Sequence, residues 1–267
     1  METNLSHIKK ILSIAGSDSS GGAGIQADIK TISAHCHYAM TAITAITAQN
    51  TLGVSSTLAI PQKMLADQID SVFTDVPPDA VKIGMLMNSE NAAAVADRLT
   101  YYNAKSIVCD TVMVSTSGSA LISEDGIKVY VDKLFPIADI ITPNKAETER
   151  LSGVRINGEN DIYTAGKILC GMTSGAVLIK GGHLDCSDYL FIDGKCHIIE
   201  GIRVNTVNSH GTGCTLSSAI ACRLAEGKDI CTAVRFAKEY VTAALSVGFD
   251  IGHGLGPLWH GVPTERV

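Results

Sequence analysis

Short apolar segments alternate with segments of helical periodicity along most of this chain, and that alternation limits the possible fold more than any other feature. Strands that alternate with helices pair in parallel and are covered by helices on both faces of their sheet. The pattern therefore predicts an α/β protein with three layers, α/β/α, around a mainly parallel central sheet. Strands are predicted at residues 8–15, 40–48, 80–85, 106–110, 139–142 and 176–180, and helices from Ile25 and at 61–73, 89–99, 126–134 and 162–170.

A different pattern follows the sixth predicted strand. Residues 188–192 and 196–199 flank the dipeptide Asp193-Gly194, an arrangement typical of a β-hairpin. We expect this hairpin to form an antiparallel edge of the sheet. Two helices, from Gly213 and from Lys228, close the chain, and since no linker or repeat interrupts it, the sequence predicts one domain over residues 1–267.

Composition excludes several classes of function. The chain carries 21 Lys and Arg against 27 Asp and Glu, a formal net charge of -6, and it has no basic cluster beyond Lys9-Lys10 that would bind nucleic acid. Its apolar runs are too short to span a membrane, and its start does not resemble a signal peptide. The 8 cysteines include no Cys-x-x-Cys pair. We therefore expect a cytoplasmic protein with reduced cysteines and a small-molecule partner, without a nucleic acid or a membrane as partner.

Polar residues follow the predicted parallel strands at the ends where sites in such sheets gather. Asp18 follows the first strand, Gln49 the second and Asp110 the fourth. Alone, each has an ordinary explanation as a turn or cap residue. Their shared location predicts a site at this edge of the sheet, to which Met85, Asn144 and the run Lys180-Gly181-Gly182-His183 also belong.

The turn before the penultimate helix is the second feature with chemical content. Gly211 and Gly213 let the backbone approach an anion at the point where free N–H groups and the positive end of a helix dipole are available. Cys214 stands at the same helix start, where a thiol ionises most easily. The position predicts a lowered thiol pKa and makes Cys214 a candidate base or nucleophile, although a buried structural cysteine is the ordinary alternative.

Three chemistries compete for these residues. The run Gly22-Ala23-Gly24-Ile25-Gln26-Ala27 matches a dinucleotide-binding loop, but the acidic residue expected about 20 positions later is missing. Cys214 with His210 or His183 would suit a hydrolase. Phosphoryl transfer needs backbone donors, a base and a divalent cation, and the carboxylates of Asp110 and Glu147 suit Mg²⁺.

Six motifs span nearly the whole chain: residues 15–28 (AGSDSSGGAGIQAD), 44–51 (TAITAQNT), 112–115 (VMVS), 142–144 (TPN), 180–183 (KGGH) and 210–217 (HGTGCTLS). Through these motifs, which occur in family order, the chain resembles the hydroxymethylpyrimidine/phosphomethylpyrimidine kinases of thiamine biosynthesis. The resemblance implies a ribokinase-like fold that uses ATP and Mg²⁺ to phosphorylate 4-amino-5-hydroxymethyl-2-methylpyrimidine and then its monophosphate.

The same resemblance implies roles for individual residues. Cys214 would take the proton of the substrate hydroxyl, at a position where the wider superfamily usually has Asp. Gly211, Thr212 and Gly213 would form the anion hole for the transferred phosphoryl group. Gln49 would hydrogen-bond the aminopyrimidine edge. The other implied substrate-binding residues are Ala23, Asp28, Met85 and Val112; the implied nucleotide-binding residues are Asn144, Lys180, His183 and His210; and Asp110 and Glu147 would act on Mg²⁺ directly or through water.

The chain differs from related kinases at two places. The family commonly has Asp-Pro-Val-Met where this chain has Asp110-Thr111-Val112-Met113, a change that bears on the rigidity of the loop and leaves the carboxylate in place. Some pyridoxal kinases of the same fold carry a second cysteine in a lid, and residues 114–118 contain none. With Gln49 present we expect the pyrimidine kinase, with pyridoxal kinase activity and a non-catalytic pyrimidine-binding protein as the alternatives, and a homodimer as the assembly.

Overall fold

The computed structural model of the protein describes residues 7–113, 122–181, 186–247 and 250–264. Within these residues nine strands form one sheet. Apolar and β-branched residues fill most of them, which suits strands that are buried on both faces. The strands are β1 (Lys10–Asp18), β2 (Tyr38–Asn50), β3 (Gly53–Ala59), β4 (Ala80–Ile83), β5 (Ile107–Cys109), β6 (Ile140–Ile141), β7 (Ala176–Ile179), β8 (Asp188–Ile192) and β9 (Lys195–Ile199).

The strand order across the sheet is β3-β2-β1-β4-β5-β6-β7-β8-β9. From β2 to β7 all neighbours pair in parallel, whereas β3 pairs antiparallel with β2, and β8 and β9 form the predicted antiparallel hairpin. The mainly parallel sheet and its edge hairpin are thus confirmed. The strand β3 adds a second antiparallel edge that the sequence pattern did not predict, because only its two terminal residues are partly buried and the rest are exposed.

Helices connect the parallel strands and cover the sheet. Several begin at a cap that the sequence encodes, for example Asn88, whose side chain accepts a hydrogen bond from the N–H of Asn91. No helix in the described part of the chain is both long and apolar enough to cross a membrane. The helices are α1 (Gly24–Ala34), α2 (Gln62–Asp75), α3 (Ser89–Tyr101), α4 (Glu124–Val129), which continues as a π-helical turn over Tyr130–Leu134 and a 3₁₀ turn over Phe135–Ile137, α5 (Lys145–Ser152), α6 (Glu159–Cys170), α7 (Thr212–Ala225) and α8 (Ile230–Ser246).

The core consists of two apolar layers, one on each face of the sheet. Alternate residues of one strand point to opposite layers: in β7, Val177 and Ile179 enter one layer, whereas Ala176 and Leu178 enter the other. The first layer packs against α2, α3, α4 and α6, and the second against α1, α7 and α8. This arrangement confirms the predicted three-layer α/β/α sandwich.

The carboxyl ends of the parallel strands lie along one edge of the sheet. Asp18 ends β1, Met85 and Asp110 follow β4 and β5, and Lys180 follows β7. Helices α1 and α7 begin beside this edge. Gly24, the first residue of α1, bridges to Ser17 of β1, and Gly211, directly before α7, lies against Gly22. The fold therefore brings the polar strand-end residues and the glycine turn together.

Candidate active site

Gly211 gives the turn before α7 its shape. Its φ of 85° lies in the left-handed region, and a Cβ at this position would collide with the carbonyl oxygen of Gly22. Residues 211–214 are all partly exposed. The first turn of a helix leaves its N–H groups without intrahelical acceptors, so this turn presents backbone donors to the site.

A lysine and a carboxylate face the same turn. Lys180 Nζ donates to Asp110 Oδ1 over 2.8 Å, and Thr142 Oγ1 donates to that oxygen over 3.0 Å. A Cβ built on Gly213 would lie 3.4 Å from Asp110 Oδ2 and 3.5 Å from Lys180 Nζ. The helix start, the ammonium group and the second carboxylate oxygen therefore border one space.

The charged groups around this space shift one another's pKa. Burial raises the pKa of Asp110, but Lys180 and Lys82 outweigh that effect and the pKa is lowered overall. Burial lowers the pKa of Lys180, but Asp110 and Glu147 raise it overall. Glu147 has a raised pKa, because burial and the nearby Asp110 charge exceed the effect of Lys180. Asp110 is thus ionised at neutral pH, and Glu147 holds its proton more tightly than an ordinary glutamate does.

Asn144 and Glu147 form the start of α5 beside this pair. Asn144 Oδ1 accepts from the N–H of Glu147 over 3.0 Å, and Glu147 Oε2 accepts from the N–H of Asn144 over 2.8 Å, which is a capping box. Thr111 also donates to Glu147 Oε2, over 2.9 Å. The structure therefore gives both residues a structural role at α5, with Glu147 only 3% exposed.

The expected lowering of the Cys214 pKa is wrong. Burial raises the pKa of this thiol to about 11, although Lys82 and the N–H of Gly24, which donates to the sulfur, both lower it. The desolvation of the charged form exceeds the benefit of the helix N-terminus. The sulfur nevertheless lies at the partly exposed start of α7, with the anion-binding turn directly before it.

Gln49 lies in a second polar group with His210 and Asp18. His210 Nε2 is 2.9 Å from Asp18 Oδ2 and 3.2 Å from Gln49 Nε2. Burial raises the pKa of Asp18, but hydrogen bonds from His210, Ser20 and the backbone lower it to about 2, so the carboxylate is ionised. His210, which the resemblance assigns to nucleotide binding, thus lies beside Gln49, the residue predicted to contact the ring.

The first glycine loop does not form a phosphate site. Asp18 Oδ2 accepts from the N–H groups of Gly22 and Ala23, over 3.1 Å and 2.9 Å. These are the donors that a dinucleotide phosphate would need. The loop instead packs against the turn before α7, because Gly22 touches Gly211 and His210. Ala23, predicted to contact the substrate ring, is partly exposed at this junction.

Met85 and Val112 are the other predicted ring contacts. A Cβ on Gly16 would collide with the terminal methyl of Met85, which places that side chain against the last residues of β1. Val112 follows Asp110 directly and is partly exposed. Both therefore lie at the same edge of the sheet as Gln49.

Asp28 does not reach this edge as a binding group. It is fully buried, and its carboxylate accepts from Ser13, Lys82 and Ser218 over 2.5, 2.8 and 2.8 Å. The prediction that Asp28 binds the substrate is therefore corrected, because all of these donors belong to the protein. Lys82, its ion-pair partner, was missed, although a charged residue within the apolar strand Ala80–Ile83 was the available signal.

Two predicted features lie outside the described residues: His183 and the whole of segment 114–118. Among the residues that are described, no group of three or more His, Cys, Asp or Glu side chains could hold a metal ion. A cation at Asp110 would consequently depend on oxygen ligands from a bound substrate.

The sandwich and its sheet order are those of the ribokinase-like class of small-molecule kinases, and comparisons with known proteins specify the family. A family model described as phosphomethylpyrimidine kinase matches residues 18–259. The chain is 44% identical over 260 residues to the thiamine biosynthesis bifunctional protein ThiED of Geobacter sulfurreducens, covering 96% of this chain and 53% of that protein. It is 43% identical to the hydroxymethylpyrimidine/phosphomethylpyrimidine kinase of Streptomyces coelicolor, covering 94% of both. The chain therefore spans about half of the bifunctional relative and nearly all of the monofunctional one, and it belongs to the phosphomethylpyrimidine kinase family.

Solved structures agree with this assignment. Phosphomethylpyrimidine kinase from Clostridium difficile has 43% sequence identity and a TM-score of 0.80, with 89% of this chain and 99% of that chain covered. Pyridoxal kinase from Staphylococcus aureus, in complex with AMP-PCP and pyridoxal, has 32% identity and a TM-score of 0.87, with 95% and 94% covered. Both kinds of vitamin kinase thus share the fold of this chain.

Proposed function

We propose that this protein transfers the γ-phosphoryl group of ATP to the hydroxymethyl oxygen of 4-amino-5-hydroxymethyl-2-methylpyrimidine, and then phosphorylates the monophosphate. The observation that carries the proposal is the position of Cys214. Cys214 follows the turn at Gly211 directly. That turn faces the Lys180–Asp110 pair on one side and the loop after Asp18 on the other. A phosphate and a ring alcohol can therefore meet at the start of α7.

The turn and Lys180 would bind the nucleotide side of the reaction. The backbone N–H groups of residues 211–214 would bind the migrating phosphoryl group, and Lys180 would neutralise phosphate charge. ATP as the phosphoryl donor is supported by family membership and by the complex of the pyridoxal kinase neighbour with AMP-PCP. Because ATP is held in the cytoplasm, we also propose that the protein acts there.

The residues around Asp110 fit a magnesium ion. Asp110 is ionised, and its Oδ2 faces the gap beside Gly213, while Oδ1 is held by Lys180 and Thr142. One carboxylate oxygen together with substrate phosphates is a common ligand set for Mg²⁺. When bound, this ion would neutralise phosphate charge, and Glu147 would act on it through water.

The pyrimidine would lie between the loop after β1 and the end of β4. Gln49 would hydrogen-bond the amino and ring-nitrogen edge, supported by the contact with His210, and Ala23, Met85 and Val112 would cover the faces of the ring. Cys214, as a thiolate, would accept the hydroxyl proton while the alcohol oxygen attacks the γ-phosphorus and ADP leaves.

A coupled assay of ADP release tests the proposal. The wild-type protein should release ADP with Mg-ATP and the pyrimidine alcohol, and Cys214→Ala should lower kcat by about 10²–10⁴-fold with little change in KM. Cys214→Ser is the matched control for the loss of volume. Wild-type turnover in Cys214→Ala would contradict the assigned role, and binding of the pyrimidine without ADP release would indicate a non-catalytic binding protein.

Pyridoxal phosphorylation is the second candidate activity. It is favoured by the TM-score of 0.87 to a pyridoxal kinase, against 0.80 to the phosphomethylpyrimidine kinase. Pyridoxal is also a flat heteroaromatic ring with a hydroxymethyl group. The same assay with pyridoxal in place of the pyrimidine measures the ratio of the two kcat/KM values, and a ratio above one for pyridoxal would reverse the assignment.

We further propose a homodimer formed through the β2–β3 edge. Large apolar side chains are exposed there: Ile46 is 49% exposed, Leu52 70% and Leu58 66%. Contiguous exposed apolar residues are typical of interfaces. Light scattering coupled to size-exclusion chromatography should give the mass of two chains, and Leu58→Glu should reduce it to one; a monomeric wild-type protein would contradict the proposal.

A further inference from the structure

Lys82 is a charged residue that the proposed reaction does not yet use. It lies in β4, close to the middle of the sheet, and its side chain has no exposed surface. Its ammonium group donates to Asp28 Oδ2 over 2.8 Å, and Ser13 and Ser218 donate to the same carboxylate. Four elements, β1, α1, β4 and α7, therefore meet at one buried ion pair.

This ion pair lies one helical turn below the sulfur of Cys214. Two contacts join α1 to α7: the N–H of Gly24 donates to Cys214, and Ser218 Oγ donates to Asp28 Oδ1 over 2.8 Å. On each helix the two residues are four positions apart, so they lie on the same face about 5–6 Å from each other. The second contact therefore holds the Lys82–Asp28 pair directly beneath the first.

The ammonium group also points toward the active-site edge. A Cβ built on Gly84 would lie 2.8 Å from Lys82 Nζ. Gly84 follows β4 and precedes Met85, whose side chain lies against Gly16 near the end of β1. The lysine side chain thus runs along its strand toward the carboxyl end, and its charge lies below the floor of the site.

We propose that Lys82 is a positioning residue of phosphoryl transfer: its buried ammonium group stabilises the thiolate form of Cys214 that accepts the proton of the substrate alcohol. This inference rests on the proposed function. The charged groups that face Cys214 are Lys82 from β4, Asp28 from α1, Asp110 after β5 and Lys180 after β7. Among them Lys82 is the strongest influence that lowers the pKa of Cys214, and Asp28 and Asp110 raise it.

The test measures the thiol itself, without nucleotide or pyrimidine. The full chain is treated with iodoacetamide at several pH values, and the rate of modification of Cys214 is followed by peptide mass spectrometry, with the exposed Cys36 as internal reference. Lys82→Met should slow modification of Cys214 by at least about tenfold at a given pH, because a cation near a thiol shifts its pKa by about one unit or more. Asp28→Asn should accelerate it, because it removes the opposing charge. Ser218→Ala, a neutral change in the same cluster, should leave the rate within about twofold.

A slower modification of Cys214 in Lys82→Met together with a faster one in Asp28→Asn supports the proposal, since damage to packing alone would change both rates in the same direction. An unchanged rate in Lys82→Met, or changes of equal sign, would overturn it. If Lys82→Met does not fold, the comparison of Asp28→Asn with Ser218→Ala decides: faster modification in Asp28→Asn but not in Ser218→Ala supports the role, and equal rates in the two variants, or a slower rate in Asp28→Asn, reject it. A wild-type protein that releases no ADP while the thiol behaves as expected would reject the proposed function and leave the effect of Lys82 on Cys214 in place.

Discussion

The reactivity of Cys214 depends on two opposed effects at one residue. The helix N-terminus favours the thiolate, and burial favours the neutral thiol. Burial is the larger effect here, since the pKa is raised to about 11. The sequence indicates the helix start, but it does not indicate that the thiol is desolvated beside the N–H of Gly24. A thiol of this kind is largely protonated in the free protein at neutral pH.

This protonation state predicts the pH dependence of catalysis. The base must be deprotonated to act, so kcat/KM, which reports groups of the free enzyme, should rise almost tenfold per pH unit between about pH 7 and pH 9. Cys214→Asp is the matched variant, because a carboxylate is already ionised throughout that range. Steady-state assays should therefore show a rising profile for the wild type and a flatter one for the variant, and a flat wild-type profile would exclude Cys214 as the base.

Gln49 should determine which ring is accepted. Its amide is held between Thr47 Oγ1, at 3.1 Å, and His210 Nε2, at 3.2 Å, which fixes its orientation toward the ring site. Gln49→Leu should lower kcat/KM for the pyrimidine by about tenfold or more, the value of a lost hydrogen bond to a buried polar edge. Pyridoxal turnover by the same variant is the control. If the ratio of the two activities does not change, Gln49 is not the specificity residue.

Single residues also show which parts of the candidate site the sequence predicts and which it does not. Asp110, Lys180 and Gln49 were predicted to share one edge of the sheet because strand ends converge in a parallel sheet, and the structure places them there. The ion pair of Lys82 and Asp28 was not predicted, nor was the contact of His210 with Asp18 and Gln49. His210 and Asp18 are 192 residues apart, and no local pattern encodes such a contact.

The start of α7 is the element on which the site depends. Gly211 has φ 85° and its missing side chain leaves room for Gly22. Gly211→Ala should destabilise the protein by about 2 kcal/mol or more, since it adds a steric clash to the cost of about 1–2 kcal/mol for a left-handed alanine. Activity should fall as the turn shifts away from the phosphoryl group.

Gly227, at the other end of the same helix, supplies a matched control. Its φ is 83°, but a Cβ there would meet nothing within 4 Å. Gly227→Ala should therefore carry only the backbone cost and keep its activity. Equal loss of thermal stability in the two variants, measured by calorimetry, would show that the contact of Gly211 with Gly22 does not matter.

Elements with a clear apolar period were predicted well. The strand β8 has its predicted bounds, Asp188–Ile192, and α3 starts at Ser89 as expected. The strand β3 was missed because its residues are mostly exposed, so burial leaves no alternation in its sequence. β3 pairs antiparallel with β2, in a register that begins with Asn50 opposite Gly53. Such a strand depends on its neighbour more than on its own residues.

At the scale of the whole molecule, the segment around His260 joins α7 to α8. His260 Nε2 lies 3.0 Å from Thr215 Oγ1 of α7, and Tyr240 of α8 donates to the carbonyl of His260 over 2.8 Å. His35 at the end of α1 packs edge-on against Tyr240, with ring centroids 4.6 Å apart. Two buried histidines therefore lie at the junction of the three helices on one face of the sheet.

These histidines predict how the stability of the molecule depends on pH. Burial lowers the pKa of His35 to about 4, with smaller opposing and reinforcing effects, and burial and Lys30 lower that of His260 to about 4. The unfolded chain binds protons near the ordinary histidine pKa of about 6.5, where the folded protein does not. The free energy of unfolding should therefore fall as pH decreases from about 6.5 to 4, by up to about 3 kcal/mol for each histidine.

His35→Phe isolates one of the two contributions. His35 Nε2 is buried and has no hydrogen-bond partner among the described residues, whereas His35 Nδ1 lies 2.8 Å from the carbonyl oxygen of Thr31. A phenyl ring therefore keeps the packing against Tyr240 and loses one hydrogen bond, at a cost of about 1 kcal/mol. Urea unfolding of both proteins at about pH 7 and pH 5 should show the variant less stable by about that amount at the higher pH, with a smaller acid loss than the wild type. A histidine whose pKa is lowered by folding binds a proton more weakly in the folded protein than in the unfolded chain, so acid favours the unfolded chain. Parallel curves for the two proteins would mean that His35 does not titrate on unfolding, and the acid sensitivity of the molecule would then have to come from other groups.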